Sequence, residues 1–209
     1  VVLQKSFIIP KLSICEKADC LIDFSHIDNF GMIKDFCKTT STPAVLATTG
    51  YDEETEKAVE ELSKSVPVLR SANFSIGINV INLALKEVLP KLSDFDVEIV
   101  ETHHNLKQDS PSGTAIKFAK TIKEVRPNSN FVYCRQGNGK RDVNDVGIFS
   151  IRGGSETGRH EIMFFGKEES IFITHTAQSK TVFAAGALRA AQWLIDKPNG
   201  LYDFDNCLR

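Results

Sequence analysis

The chain has 209 residues, 25 Lys and Arg against 27 Asp and Glu for a formal net charge of −2, with 42% hydrophobic and 25% charged residues. That is enough apolar sequence for a core in one or two domains, and the near-neutral charge argues against a nucleic-acid or membrane surface as the main partner, so an anionic ligand has to be met by local positive charge. No apolar run is long enough to span a bilayer and no signal peptide is visible, while Cys15, Cys20, Cys37, Cys134 and Cys207, odd in number and without a C-x-x-C pair, read as reduced thiols of a cytosolic protein.

In chain order, Cys20–Phe24 reads as a buried strand and Ile27–Lys38 as a helix with Phe30, Ile33, Phe36 and Cys37 on one face. Pro43–Ala47 is a second strand. Tyr51–Lys64 is an acidic helix that Asp52 can cap, with Ala58, Val59 and Leu62 inward, and Val66–Leu69 is a third strand. Strands alternating with helices imply a parallel sheet. The pattern then changes. A long apolar helix is expected over Ile76–Leu92, a strand over Phe95–Glu101 and a helix over Thr114–Val125. Three strands follow, Gly147–Arg152, His160–Phe165 and Ser170–Thr176, with turns at Gly153-Gly154 and Gly166-Lys167-Glu168, and then an alanine-rich helix over Thr181–Ile195. This half reads as α+β with a mixed sheet, so the chain is α/β with a boundary near Phe74–Gly77 and a return near Lys180–Ala184.

The segment from Glu101 to Ala115 concentrates the chemistry. It follows the apolar Val97, Ile99 and Val100 and precedes the helical run Ala115, Ile116, Phe118, Ala119 and Ile122. A strand thus leads through a polar loop to a helix start, where the Gly113 and Thr114 amides can hold an anion such as a carboxylate. Lys107 adds a full charge, and a histidine at a strand end can move a proton near neutral pH. The adjacent His103 and His104 make a poor metal pair, because successive strand residues point to opposite faces, and no metal site is expected. Each residue also has a plainer role: Lys107 as a solvated lysine, Ser112 or Thr114 as the helix cap, Gly113 as a turn residue and Asp109 as a loop-orienting group.

The same segment resembles the E-x-H-H-x-x-K-x-D-x-P-S-G-T-A signature of the dihydrodipicolinate reductase family. Other segments resemble that family in order and spacing: Asp23-Phe24-Ser25, Ala47-Thr48-Thr49-Gly50, Ser71-Ala72-Asn73-Phe74-Ser75, Arg152-Gly153-Gly154 and Gly158-Arg159-His160. The resemblance implies reduction of 4-hydroxy-tetrahydrodipicolinate to tetrahydrodipicolinate by NADH or NADPH, in diaminopimelate and lysine synthesis, by a cytoplasmic homotetramer. It implies a Rossmann-like dinucleotide-binding domain, truncated here, over residues 1–74 with 185–209 packing back, and a substrate-binding and tetramerisation domain over 75–184. It further implies His103 as proton donor, Lys107 in substrate binding and proton donation, and His104, Gly113 and Thr114 as substrate-carboxylate contacts. Phe24, Ala47, Thr48, Thr49, Ser71, Ala72, Asn73 and Phe74 would form the edge that receives the nicotinamide and its ribose. His160 is either a satisfied strand histidine or a substrate contact, His175 reads as a strand residue, and the role of His26 stays open.

Members of the family open with a strand and a Gly-x-x-Gly-x-x-Gly loop that cradles pyrophosphate, and this sequence, which begins at Val1 without a methionine, enters the pattern after it. The expectation is a piece of a longer protein, with weak dinucleotide affinity for the 209 residues alone. Two rival readings are another two-domain nicotinamide dehydrogenase, against which His103-His104 and Ser112-Gly113-Thr114 argue, and a cofactor-less dicarboxylate-binding or assembly protein, which would bind no NADH.

Overall fold

The computed structural model describes residues 18–208; the expectations for Val1–Lys5 and Cys15 lie outside them. The chain divides into two compact units, Val1–Phe74 with Ala185–Arg209 and Ser75–Ala184.

The first unit opens with strand β1 (Leu21–Asp23), helix α1 (Phe30–Thr40), strand β2 (Ala44–Leu46), helix α2 (Glu53–Ser63) and strand β3 (Pro67–Arg70). The expected first helix is split: Ile27–Asn29 is a short 3-10 turn, and α1 begins only at Phe30. Its apolar stripe of Phe30, Ile33 and Cys37 is buried, as the helical spacing requires. Asp52 caps α2 by accepting the Thr55 amide at 2.8 Å. Ala44, Val45 and Leu46 are all fully buried, which is the pattern of a strand covered on both faces of a parallel sheet.

The second unit contains α3 (Ile76–Val88), β4 (Asp96–His103), α4 (Gly113–Val125), β5 (Asn130–Val132), β6 (Asp145–Arg152), β7 (Arg159–Phe165) and β8 (Ser170–Thr176). Ser75 caps α3 through the Ile78 amide. The apolar run to Leu92 is not one helix: α3 stops at Val88 and a 3-10 turn covers Leu89–Leu92, because Pro90 has no amide hydrogen to continue the ladder. The sheet order is β5-β6-β4-β7-β8, with β5, β6 and β4 parallel and β4, β7 and β8 antiparallel. Ile78, Leu85, Ile99, Phe118, Ile148 and Phe164 belong to the core where α3 and α4 meet one face of this sheet.

The chain then runs through α5 (Thr181–Leu194), β9 (Gly200–Tyr202) and α6 (Phe204–Leu208). β9 adds in parallel beside β3, giving the order β1-β2-β3-β9 in a Rossmann-like, fully parallel sheet. In α5, Gly186 rides against the carbonyl of Phe74: a Cβ at that position would stand 1.7 Å from the Phe74 oxygen.

Candidate active site

β4 alternates, so Val97 and Ile99 point into the core under the helices, and Glu101 and His103 continue the same row to the end of the strand. The register brings neighbours from three other strands alongside. His103 pairs with Arg152 of β6, and Glu101 pairs with His160 of β7, which itself pairs with His175 of β8. Five ionisable groups from four strands therefore share one face at one end of the sheet.

Glu101 is fully buried and saturated with partners. Its Oε1 accepts from Arg152 Nη2 at 2.8 Å and from the Ser112 amide at 3.1 Å. Its Oε2 accepts from Arg152 Nη1 at 2.9 Å and lies 2.5 Å from His103 Nδ1. Burial alone would raise this carboxyl; hydrogen bonds, led by those of Arg152, outweigh it and bring it down to about 2. Glu101 is thus an anion at any ordinary pH. The Glu101 charge pulls the His103 proton affinity up, but burial wins and His103 ends below the usual histidine value, with Lys107 and Arg152 adding to the depression. His103 Nε2 has no hydrogen-bond partner among the described residues and faces Gly158, where an added Cβ would lie 3.0 Å from it.

His160 is buried beneath this pair. Its Nε2 lies 3.0 Å from Ser112 Oγ, and its ring meets His103 edge-on at 5.2 Å. Burial first, and the neighbouring His103 second, push it down to about 3, so it is a neutral packing and hydrogen-bonding histidine. His175 contacts Ser75 Oγ at 3.2 Å and packs on Gly77, which leaves it a structural strand residue.

The loop after β4 returns to the same place. Ser112 caps α4 by accepting the Ala115 amide at 3.2 Å while its own amide is held by Glu101. Gly113 is therefore the first residue of α4, not a turn residue, and the space beside its α-carbon is open. Thr114 follows it in the first turn. Lys107 is only part-exposed and pairs with Asp109 Oδ1 at 2.7 Å, so Asp109 orients the lysine. Arg152 also donates to the Asp109 carbonyl at 2.7 Å, which ties the loop to β6. The Ser110–Pro111 peptide is cis. His104 is half-buried, and its carbonyl accepts from the Lys107 amide at 3.2 Å. Beside His103 the β6–β7 turn opens a cleft of about 550 Å³, walled by residues that include Gly153, Ser155, Thr157, Thr176 and Gln178. The structure brings together His103, Lys107 and the α4 start. It adds Glu101 and Arg152, whose signal in the sequence was only their membership of the motif segments, together with Ser112, read there as a possible helix cap, and His160, read as a strand histidine or a substrate contact.

In the first unit the cofactor candidates lie at or just beyond the carboxyl ends of β1, β2 and β3, where ligands gather on open parallel sheets. Buried Asp23 knits this crest, accepting from Ser25 Oγ at 2.6 Å, the Ser25 amide at 2.9 Å and Thr48 Oγ1 at 2.7 Å. Thr49 and Ala72 are exposed, Ala47 is buried, and Ser71 donates to the Asn73 carbonyl at 2.9 Å. The Phe24 ring is 53% exposed and rests edge-on against Phe74, which is itself core, packed on Phe204. Small and hydroxyl side chains around an exposed aromatic ring fit the nicotinamide and ribose end of a dinucleotide. The α2 start does not fit its pyrophosphate, because Asp52, Glu53 and Glu54 crowd it with negative charge. Among the described residues no group of three or more His, Cys, Asp or Glu side chains is placed to hold a metal ion.

Comparison with known proteins identifies the family. Residues 7–74 match the family model "Dihydrodipicolinate reductase, N-terminus" and residues 77–208 match "Dihydrodipicolinate reductase, C-terminus". The 4-hydroxy-tetrahydrodipicolinate reductase of Clostridium tetani is 48% identical over 191 residues, covering 90% of this chain and 75% of that protein. That of Staphylococcus carnosus is 46% identical over 196 residues, covering 93% and 80%. Among solved structures, the dipicolinate-bound dihydrodipicolinate reductase from Paenisporosarcina sp. TG-14 superposes with a TM-score of 0.70 at 25% identity, over 88% of this chain and 71% of that one. The fold and these relatives define an oxidoreductase of the nicotinamide-dependent class. Within that class, the chain belongs to the dihydrodipicolinate reductase family.

Proposed function

We propose that the protein reduces 4-hydroxy-tetrahydrodipicolinate to tetrahydrodipicolinate, with release of water, in diaminopimelate and lysine synthesis. Family membership supports the reaction, and one observation in this chain carries it: a buried histidine, a lysine and an open helix start converge on the loop between β4 and α4. A dicarboxylate needs positive charge and amide donors, and the reduction needs a proton. Lys107, His104 and the Gly113–Thr114 turn hold the substrate carboxylates. His103 delivers the proton from Nε2, the nitrogen not held by Glu101. When bound at the first unit, NADH or NADPH supplies the hydride. Phe24, Ala47, Thr48, Thr49, Ser71, Ala72, Asn73 and Phe74 form the edge on that unit that receives it, with Phe74 acting from beneath as packing for Phe24. Excluding water and fixing the two reactants is the remaining task of the protein.

The reading includes a cytoplasmic homotetramer. What supports assembly is the second sheet: its face opposite α3 and α4 carries no helix among the described residues and exposes Ile151, Phe165 and Phe172, the last two in edge-to-face contact at 5.9 Å. A second copy of this unit is the occupant of matching chemistry.

The test is substrate-dependent oxidation of NADH and of NADPH by the purified protein, with pyridine-2,6-dicarboxylate as inhibitor. Turnover with at least one dinucleotide is expected, with inhibition competitive against substrate and weakened in Lys107→Ala. Inhibition of equal strength in Lys107→Ala and the parent would return Lys107 to a surface lysine.

A further inference from the structure

We propose that Glu101 is the positioning residue for proton donation by His103: its locked carboxylate fixes which imidazole nitrogen faces the substrate and joins that ring to the helix start beside it. The inference rests on the reading above, in which His103 is the donor.

Hydrogen-bond capacity fixes the role of Glu101. An ionised carboxylate only accepts, at about four lone-pair positions. All four are taken here: two by Arg152, one by the Ser112 amide and one by His103 Nδ1. Glu101 can neither rotate nor donate, so the hydrogen between it and the imidazole belongs to Nδ1. A histidine whose Nδ1–H is donated to a carboxylate has its other nitrogen fixed in direction and in protonation role. That nitrogen is Nε2, turned toward the Gly158 backbone, where the lack of a side chain leaves it room. In the step itself the Nε2–H bond breaks, its proton passes to the substrate as the hydride arrives, and the ring is left neutral with Nδ1–H still on Glu101.

The second half of the inference comes from Ser112. The same carboxylate that orients His103 holds the amide of the α4 cap, and the cap hydroxyl touches His160, on which the His103 ring rests. Proton donor and carboxylate-binding turn therefore hang on one anchor, the Arg152–Glu101 pair. The charged and titratable groups around His103 are Glu101 on its own strand, Arg152 on β6, His160 on β7 and Lys107 and Asp109 on the loop, with His175 one strand further on. Only Glu101 favours the imidazolium at close range.

Glu101→Gln in the full protein tests this against a merely structural role. The expected result is a fall in kcat of roughly 10–100-fold with KM within about threefold, typical for loss of a residue that orients a reacting group. The limb of the pH profile that reports His103 should move to lower pH, because the negative charge that favours the imidazolium is gone. In 15N-histidine spectra His103 of the parent should be the Nδ1–H tautomer at neutral pH, and the variant should lose that single form. On a His103→Gln background, Glu101→Gln should add little. If His103→Gln alone leaves kcat unchanged, the donor reading fails. If it impairs turnover while Glu101→Gln leaves kcat and the pH limb where they were, the positioning role is overturned. Should Glu101→Gln not fold, the parent spectrum decides, and an Nε2–H tautomer for His103 would overturn the proposal.

Discussion

At residue scale the site is a set of groups whose protonation is decided by burial and by one ion pair. His160 is the clearest case. Its folded value of about 3 lies far below the ordinary histidine value of about 6.5. Above that ordinary value both folded and unfolded chains are neutral there, and nothing is lost. As pH falls from about 6.5 toward 3, the unfolded chain takes up a proton that the folded His160 refuses, so stability declines across that window by up to several kcal/mol. Glu101 adds to the decline lower down: its value of about 2 stabilises the fold above the ordinary carboxyl value, and that contribution is lost as pH drops from about 4.5 toward 2. His160→Gln should therefore flatten the dependence of unfolding free energy on pH between 4 and 6 (roughly, from the same linkage), at the cost of lower stability at neutral pH. Denaturant melts across that range, showing an unchanged slope in the variant, would contradict the assignment of a neutral buried His160. The depressed His103 acts on activity in the opposite pH direction: donation requires its protonated form, so kcat/KM should fall as pH rises past a limb lying below about 6.5.

At the scale of elements, two glycines show how closely backbones approach. The α5 helix touches the Phe74 carbonyl at Gly186, and a methyl group there has nowhere to go. Gly186→Ala should destabilise the first unit by about 1–3 kcal/mol or more, the cost of overpacking a full site, despite the better helix propensity of alanine. A urea midpoint equal to that of the parent would show that the helix can shift instead. Gly158 stands over His103 Nε2, so Gly158→Ala should displace the ring and lower kcat by roughly tenfold or more, with a smaller effect on unfolding. Unchanged turnover would mean that Nε2 is not used. Much of the element pattern was legible beforehand. The buried stripe of α1, the cap at Asp52 and the alternation in β7 and β8 are local signals, and each lies within a few residues of its expected place. β5, β9 and α6 were not legible: three to five residues are too few to show a period, and β9 is a strand only because β3 offers it an edge.

At the scale of the whole molecule, the motif named one loop of the site and could not name its support. Glu101, Arg152 and His160 are separated by about 50 residues of sequence or more in total span, and only the parallel pairing of β4 with β6 and the antiparallel pairing with β7 set them side by side. Register is a long-range property that composition and periodicity do not carry. The face of the second sheet that carries no helix among the described residues belongs to this scale too. Phe172→Lys, on that face, should shift the proposed tetramer toward smaller species in sedimentation, with the folded unit intact; a sedimentation profile identical to that of the parent would place the contacts elsewhere.

In the proposed reaction, dicarboxylate binding and proton delivery meet at the loop between β4 and α4. The most direct measurement compares kcat for 4-hydroxy-tetrahydrodipicolinate reduction with the affinity for pyridine-2,6-dicarboxylate, in the parent protein and in His103→Gln. The expected kcat is lower by roughly 10²–10⁴-fold in the variant, with dicarboxylate affinity within a few fold of the parent. A folded His103→Gln that binds the dicarboxylate and turns over at the parent rate would contradict it.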